Sequence, residues 1–244
     1  MRIPCVLLTL LVCGACSLNA QNTAPDVVLM QRLHKNSLLY TKWDKGESLR
    51  AKARRTSSDV SETIQESENP VLCSNCAPVD PQNDPWVKIS ASKSDIVAIG
   101  KITRLMSELT PNEAFVFSDA QFVPTTVMYQ SSQSSEILGA VTGKELTITF
   151  PGGQVAVDGY KLASQLSTEP PLRIGETYLL FLQYLPASQS FSLVGIKGFD
   201  LASTTVRPLH HDSELQSRPI MSNRTSFTAA IQSSINRMKL EAQQ

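Results

Sequence analysis

The chain has 244 residues, 22 basic and 22 acidic, so its formal net charge is zero. That balance gives no footing for a nucleic-acid partner, whose binding domains carry a basic excess. Three of the five cysteines fall within the first sixteen residues. Only Cys73 and Cys76 remain for the rest of the chain, so stability has to come from an apolar core and not from a disulfide framework.

The opening "MRIPCVLLTLLVCGACSLNA" has one Arg, an apolar run from Ile3 to Val12, and small residues up to Ala20. This is the layout of a secretory signal peptide spanning residues 1–20, with cleavage after Ala20, and it is too short to span a membrane as a helix. The competing reading is lipoprotein processing, with Gly14 and Ala15 preceding a lipidated Cys16. No later run approaches the ~20 apolar residues of a transmembrane helix. The expected location is secreted or periplasmic, or alternatively anchored to a membrane through Cys16.

From Asp26 to Tyr40, Leu29, Met30 and Leu33 lie at helical spacing behind Pro25 and Asp26, which predicts a short helix. Residues 42–84 follow with six basic residues in "KWDKGESLRAKARR" and then a Ser-rich acidic stretch. So little apolar surface predicts a flexible charged linker closing the 21–84 region. The basic cluster reads as a solvated stretch, with docking on an anionic envelope surface as its alternative.

At Pro85 the pattern becomes that of strands. "SDIVAIGKITRLM" predicts a strand over Ile96–Leu105, and "AFVFSDAQFVPTTVMYQ" predicts two β pieces with an edge or bulge at Pro124. A short helix is expected over Glu136–Val141. "LTITF" alternates into a Pro-Gly-Gly turn, and "ETYLLFLQYL" and "FSLVGIKGF" flank "PASQS" as a hairpin. Six short strands without βαβ helices predict a mainly β fold, a small five- to six-stranded barrel over residues 85–207. Residues 208–244 are expected to form a loop and an amphipathic helix, with Phe227, Ile231, Ile235 and Met238 on one stripe. Tyr178, Leu180, Leu182 and Tyr184 fall on one face of the strand and Leu179, Phe181, Gln183 and Leu185 on the other. One face is therefore expected inside the barrel and the other beneath that helix.

The order "SDIVAIGKI", "FVFSDAQFVPTTVMY", "LTITFPGG", "IGETYLLFLQYL", "FSLVGIKG" resembles exported bacterial proteins of unknown function with a small barrel. Their domain is similar to the oligonucleotide/oligosaccharide-binding (OB) fold and to netrin-like domains such as the tissue inhibitors of metalloproteinases. The resemblance implies an OB-like barrel between an N-terminal helix and a packed C-terminal helix. Those inhibitors chelate the protease zinc through a free N-terminal cysteine. A mature chain starting at Gln21, or at a lipidated Cys16, offers no such group.

No catalytic constellation is legible, and neither a cofactor nor a metal site is expected. Cys73 and Cys76, between Pro70 and Pro78, read as a local disulfide, with a redox pair or half of a zinc site as the alternatives. His210, His211 and Asp212 read as a solvated loop. Ser90 to Lys93 fits S-x-x-K but lacks the companion S-D-N and K-T-G motifs. Asn223 to Thr225 fits a glycosylation acceptor and reads instead as a helix cap.

The expected function is that of an exported, non-enzymatic binding or interaction module of the bacterial cell envelope, with a protein or glycan partner. The fold analogy places its contact surface on the barrel face and on the loops after the first strand and before the last. Phe122, Tyr129 and Tyr160 are candidate contact residues, against a core role for each. The alternative is an envelope thiol-disulfide factor or other enzyme using Cys73 and Cys76.

Overall fold

A computed structural model describes residues 23–64, 85–166, 172–202, 206–209 and 223–241. Helix α1 (Thr23–Ser37) runs into a 3-10 segment (Leu38–Trp43), followed by α2 (Leu49–Thr56), β1 (Val60–Ile64) and α3 (Pro85–Lys93). Then come β2 (Ile96–Leu109), β3 (Val116–Gln130), α4 (Ser132–Leu138), β4 (Leu146–Pro151), β5 (Gly153–Val157) and β6 (Tyr160–Leu166). The chain closes with β7 (Thr177–Leu185), β8 (Ser190–Asp200), the two-residue β9 (Arg207–Pro208) and α5 (Arg224–Glu241).

Among the described residues the strands form a six-stranded sheet in the order β4-β3-β2-β7-β8-β9 and a small sheet in the order β1-β6-β5. The large sheet curls until β4 meets β8 in parallel at Ile148↔Phe191 and Thr149↔Ser192. Contact at two residue pairs makes the sheet barrel-like without closing it. The domain is mainly β, as its alternating patterns predict.

Alternation along each strand sends one set of side chains inward and the other outward. Ile96, Ala98, Ile102, Phe122, Ile148, Leu180, Leu182 and Phe191 fill the interior. Leu179 and Phe181, the intervening residues of β7, join Val97, Ile196 and Phe199 in an outer cluster under Val87 and Ala91 of α3 and Phe227, Ile231 and Ile235 of α5. Strand β7 is therefore buried on both faces, and the stripe expected to cover it does so. Phe199 sits edge-on between Phe181 and Phe227, at centroid distances of 6.5 and 4.6 Å. Asn223 caps α5 through its side chain, which accepts the Thr225 and Ser226 N–H groups at 2.9 and 3.3 Å.

Several elements differ from their expected bounds for identifiable reasons. Strand β3 is one continuous strand, because Pro124 falls at a register shift opposite Gly100. There the strands approach so closely that a Cβ on Gly100 would lie 2.3 Å from the Val123 carbonyl oxygen. Helix α4 begins at Ser132, with Ser131 accepting the Ser134 N–H, and ends at Gly139. Asp158 and Gly159, both at positive φ, turn β5 into β6, a hairpin that the "DG" dipeptide signals.

The flexible linker expected over residues 42–84 is corrected across its first part. Helix α2, capped by Ser48, and strand β1 bury Leu49, Ala53 and Val60 against Val116 and Leu162. Few apolar residues suffice here because β3 and β6 supply the other half of the core. Residues 65–84, with Cys73 and Cys76, lie outside the described residues, as do the signal-peptide region with Cys16 and the His210–Asp212 cluster. Among the described residues no helix is long and apolar enough to cross a membrane.

Deleting residues 225–244 should uncover Leu179, Phe181 and Phe199 together and cause aggregation, read by soluble fraction and light scattering. The milder Phe227→Ala should cost about 3–5 kcal/mol in urea unfolding. A soluble truncated chain with unchanged melting would show that α5 is not part of the core.

Candidate functional site

The outside of the barrel is covered in two different ways. Over β2, β7 and β8 the cover is apolar, whereas over β3 and β4 it is polar. Asp119 and Gln121 of β3 alternate with the interior residues Ala120 and Phe122, so they point outward. Across the register, Asp119 faces Thr149 and Gln121 faces Thr147, both also outward. All four would be solvated on a bare barrel, yet none is more than 3% exposed.

Their cover is α1 and the 3-10 segment. Arg32, Asn36 and Tyr40, spaced four residues apart, form one stripe over the face. The Arg32 guanidinium donates to Thr147 Oγ1 at 2.6 Å, and Asn36 Nδ2 donates to Asp119 Oδ2 at 2.8 Å. The Tyr40 hydroxyl lies 3.0 Å from Thr149 Oγ1. Gln121 Nε2 donates to Thr147 Oγ1 at 3.2 Å. Asn36 Oδ1 accepts from the Ser190 hydroxyl, itself 2.6 Å from that of Ser188. The loop before the last barrel strand, residues 186–189, is thus tied to α1.

The loop after the first barrel strand, residues 110–115, is tied to the same N-terminal segment. Asp44 accepts from the Thr110 hydroxyl and from the Asn112 and Ala114 N–H groups. Leu33, Tyr40 and Trp43 pack on Phe115, Phe117 and Leu166, with Trp43 stacked on Phe115 at 5.2 Å. The barrel face and both loops expected to form the contact surface are therefore covered by residues 32–44 of the same chain.

Asp119 is the least satisfied member of the group. Its Oδ1 is buried with no hydrogen-bond partner of standard geometry among the described residues. Burial pushes its carboxyl up to about 6; the Asn36 amide, the Thr149 hydroxyl and the Arg32 charge pull it back, and Glu108 adds to the rise. Burial also raises Glu108, against the influence of His34. Perturbed carboxyls in buried polar clusters gather at functional sites.

The candidate residues from the sequence fall elsewhere. Phe122 is fully buried inside the barrel, which corrects its place among contact residues. Tyr129 packs against the outer apolar cluster and Tyr160 against the small sheet. Ser90 is buried in α3, where its hydroxyl accepts the Ile196 N–H at 3.0 Å. The basic cluster is ion-paired instead of simply solvated: Arg50 and Arg54 both reach Asp158, Lys52 meets Glu62, and Arg55 meets Glu47. These arginines hold the Asp158 carboxyl down at about 2. Among the described residues no three His, Cys, Asp or Glu side chains gather as metal ligands.

The polar residues of the β3–β4 face had readable signals of two kinds. One is the Arg32, Asn36, Tyr40 spacing; the other is the alternation of Asp119, Gln121, Thr147 and Thr149 with apolar neighbours. What joins them spans about a hundred residues of chain. Fold and site together define a mainly β, barrel-like domain with a polar face under its own N-terminal helix. No protein-family model matches the chain, and a search of curated proteins finds no match either.

A raised carboxyl means that the folded chain binds its proton more tightly than the unfolded chain. Stability from Asp119 is then greatest below its unfolded value of 3.8 and falls as pH rises to about 6. Asp119→Asn should accordingly stabilise the protein at pH 7 by on the order of 2–3 kcal/mol, with the gain fading below about pH 4. Urea unfolding across that range checks this, and a destabilised variant at pH 7 would contradict it.

Proposed function

We propose that this protein is an exported, non-enzymatic binding module of the bacterial cell envelope. Its contact surface is the outer face of β3 and β4 with loops 110–115 and 186–189. The observation that carries the reading is the buried polar group of Asp119, Gln121, Thr147 and Thr149. A face whose only task was to seat a helix would be more stable if apolar, and buried polar groups without full pairing cost stability. Here the polar groups are kept, and one of them is left incompletely paired.

The meander β2-β3-β4, returning through β7 and β8, supports the likeness to a partly open OB-type barrel. In that fold the second and third strands and the loops after the first and before the last strand hold ligands. The corresponding pieces here are the ones that residues 32–44 cover. Side chains of Thr, Gln, Ser and Asn suit a partner rich in hydroxyl and amide groups, as a glycan or an extended peptide is.

Glycan and peptide arrays, together with capture from envelope extracts, should yield a saturable partner. Replacing Gln121 and Thr147 by Ala should weaken it by about ten-fold or more, equivalent to about 1.4 kcal/mol. No saturable partner, or one indifferent to these substitutions, would sink the reading. Insulin reduction lost on replacing Cys73 and Cys76 by Ser would favour a thiol-disulfide factor instead.

A further inference from the structure

The way α1 is fastened differs along its length. At its C-terminal end the fastening is apolar and dense: Tyr40 and Trp43 stack with each other and on Phe117 and Phe115, and Asp44 is tied to loop 110–115. Further toward the N-terminus Met30 is 56% exposed, and the helix body is held by the buried Leu33, the Arg32–Thr147 hydrogen bond and Asn36. This is a strap with a firm hinge at Tyr40–Asp44 and a polar latch at Asn36.

The latch closes on a carboxyl that is satisfied at one oxygen only. Asn36 is oriented by Ser190 so that its amide donates to Asp119 Oδ2. Among the described residues Oδ1 is buried with no hydrogen-bond partner of standard geometry, beside a Thr149 hydroxyl that also lies 3.0 Å from the Tyr40 hydroxyl. A proton on Oδ1 removes the buried charge and gives that oxygen a donor, with Thr149 Oγ1 as acceptor across the register. Without the proton, a negative oxygen stays buried with at most the off-geometry Thr149 hydroxyl beside it, and swinging α1 away lets water reach it.

We propose that α1 is a proton-gated strap over the β3–β4 face: it closes while Asp119 is protonated and loosens when Asp119 ionises. The inference rests on the proposed contact face for its purpose, because opening uncovers Gln121, Thr147, Thr149, Ser188 and Ser190. The other ionisable groups facing the latch are Arg32, His34 and Tyr40 from the N-terminal segment and Glu108 and Arg104 from β2. Arg32 lowers the Asp119 carboxyl, and Glu108 reaches the latch through its opposite effect on it. In the closed state burial holds the Asp119 carboxyl at about 6, against 3.8 when solvated. The opening equilibrium should therefore rise by about fifty-fold between pH 4 and pH 7.

Hydrogen exchange of the full chain, read by mass spectrometry on α1 and β7 peptides and corrected for the intrinsic pH dependence of exchange, tests this. The expected result is an α1 protection factor that falls by about fifty-fold between pH 4 and pH 7, dropping from about pH 4 and levelling off near pH 6, while β7 stays constant. Asp119→Asn should keep α1 protected across the range, and Glu108→Gln should leave the wild-type slope in place. A flat wild-type profile, a slope that survives in Asp119→Asn, or one that disappears with Glu108→Gln would overturn the proposal. Should Asp119→Asn fail to fold, carbon-13 titration of the wild-type carboxyl decides: a midpoint near pH 6, where the exchange profile levels off, supports the strap, and a value near 4 refutes it. No ligand enters this measurement. A gated α1 without any partner therefore refutes the contact-face reading alone, and a saturable partner with an ungated α1 refutes the strap alone.

Discussion

Leu180 and Leu182 of β7 point into the barrel while Leu179 and Phe181 point out of it, and neither face meets water. Each such side chain contributes roughly 1.5–3 kcal/mol when fully buried, so a strand apolar on both faces needs two covers. The curled sheet supplies one, and α3 with α5 supplies the other. This requirement fixes where both chain segments flanking the barrel must lie. It also explains why helices separated by well over a hundred residues share one apolar cluster with Phe199 and Ile196.

On the other flank the chain solves a different problem with different chemistry. Asp119, Gln121, Thr147 and Thr149 make the middle of the outer β3–β4 face polar, so the segment that covers them must bring hydrogen-bonding groups. Arg32, Asn36 and Tyr40 do so, while Leu33 and Trp43 anchor the same segment to Phe115 and Phe117. The described cover that α5 lays over β7 and β8 is apolar, through Phe227, Ile231 and Ile235. A polar cover over a carboxyl responds to protonation, because removing a buried charge changes the cost of keeping the cover closed.

Much of the architecture is legible in local patterns. The period-two alternation of "LTITF" and "ETYLLFLQYL" specifies strands, and the Phe227, Ile231, Ile235 stripe specifies the helix that covers the second. Residues 49–64 were less legible. Leu49, Ala53 and Val60 are too few to announce a core, and their partners Val116 and Leu162 come from strands far along the chain. The basic residues of the same segment look solvated in isolation and find Asp158, Glu62 and Glu47 only in the fold. Phe122 shows the reverse error, because an aromatic residue in a strand carries no mark of which face it occupies until the register is set.

Composition and periodicity by themselves determined the mainly β class, the two-sided burial of β7 and the amphipathic nature of α5. These follow from which side chains must leave water, and that is a local property of the pattern. Tertiary structure alone decided that α1 lies on the outer face of β3 and β4 and that Asp119 meets Asn36. It also decided that the loops expected to form the contact surface are held by Asp44 and Asn36. Hydrogen bonds between polar side chains are short-ranged and directional, so their partners are selected by register and docking geometry, which no single stretch of sequence contains.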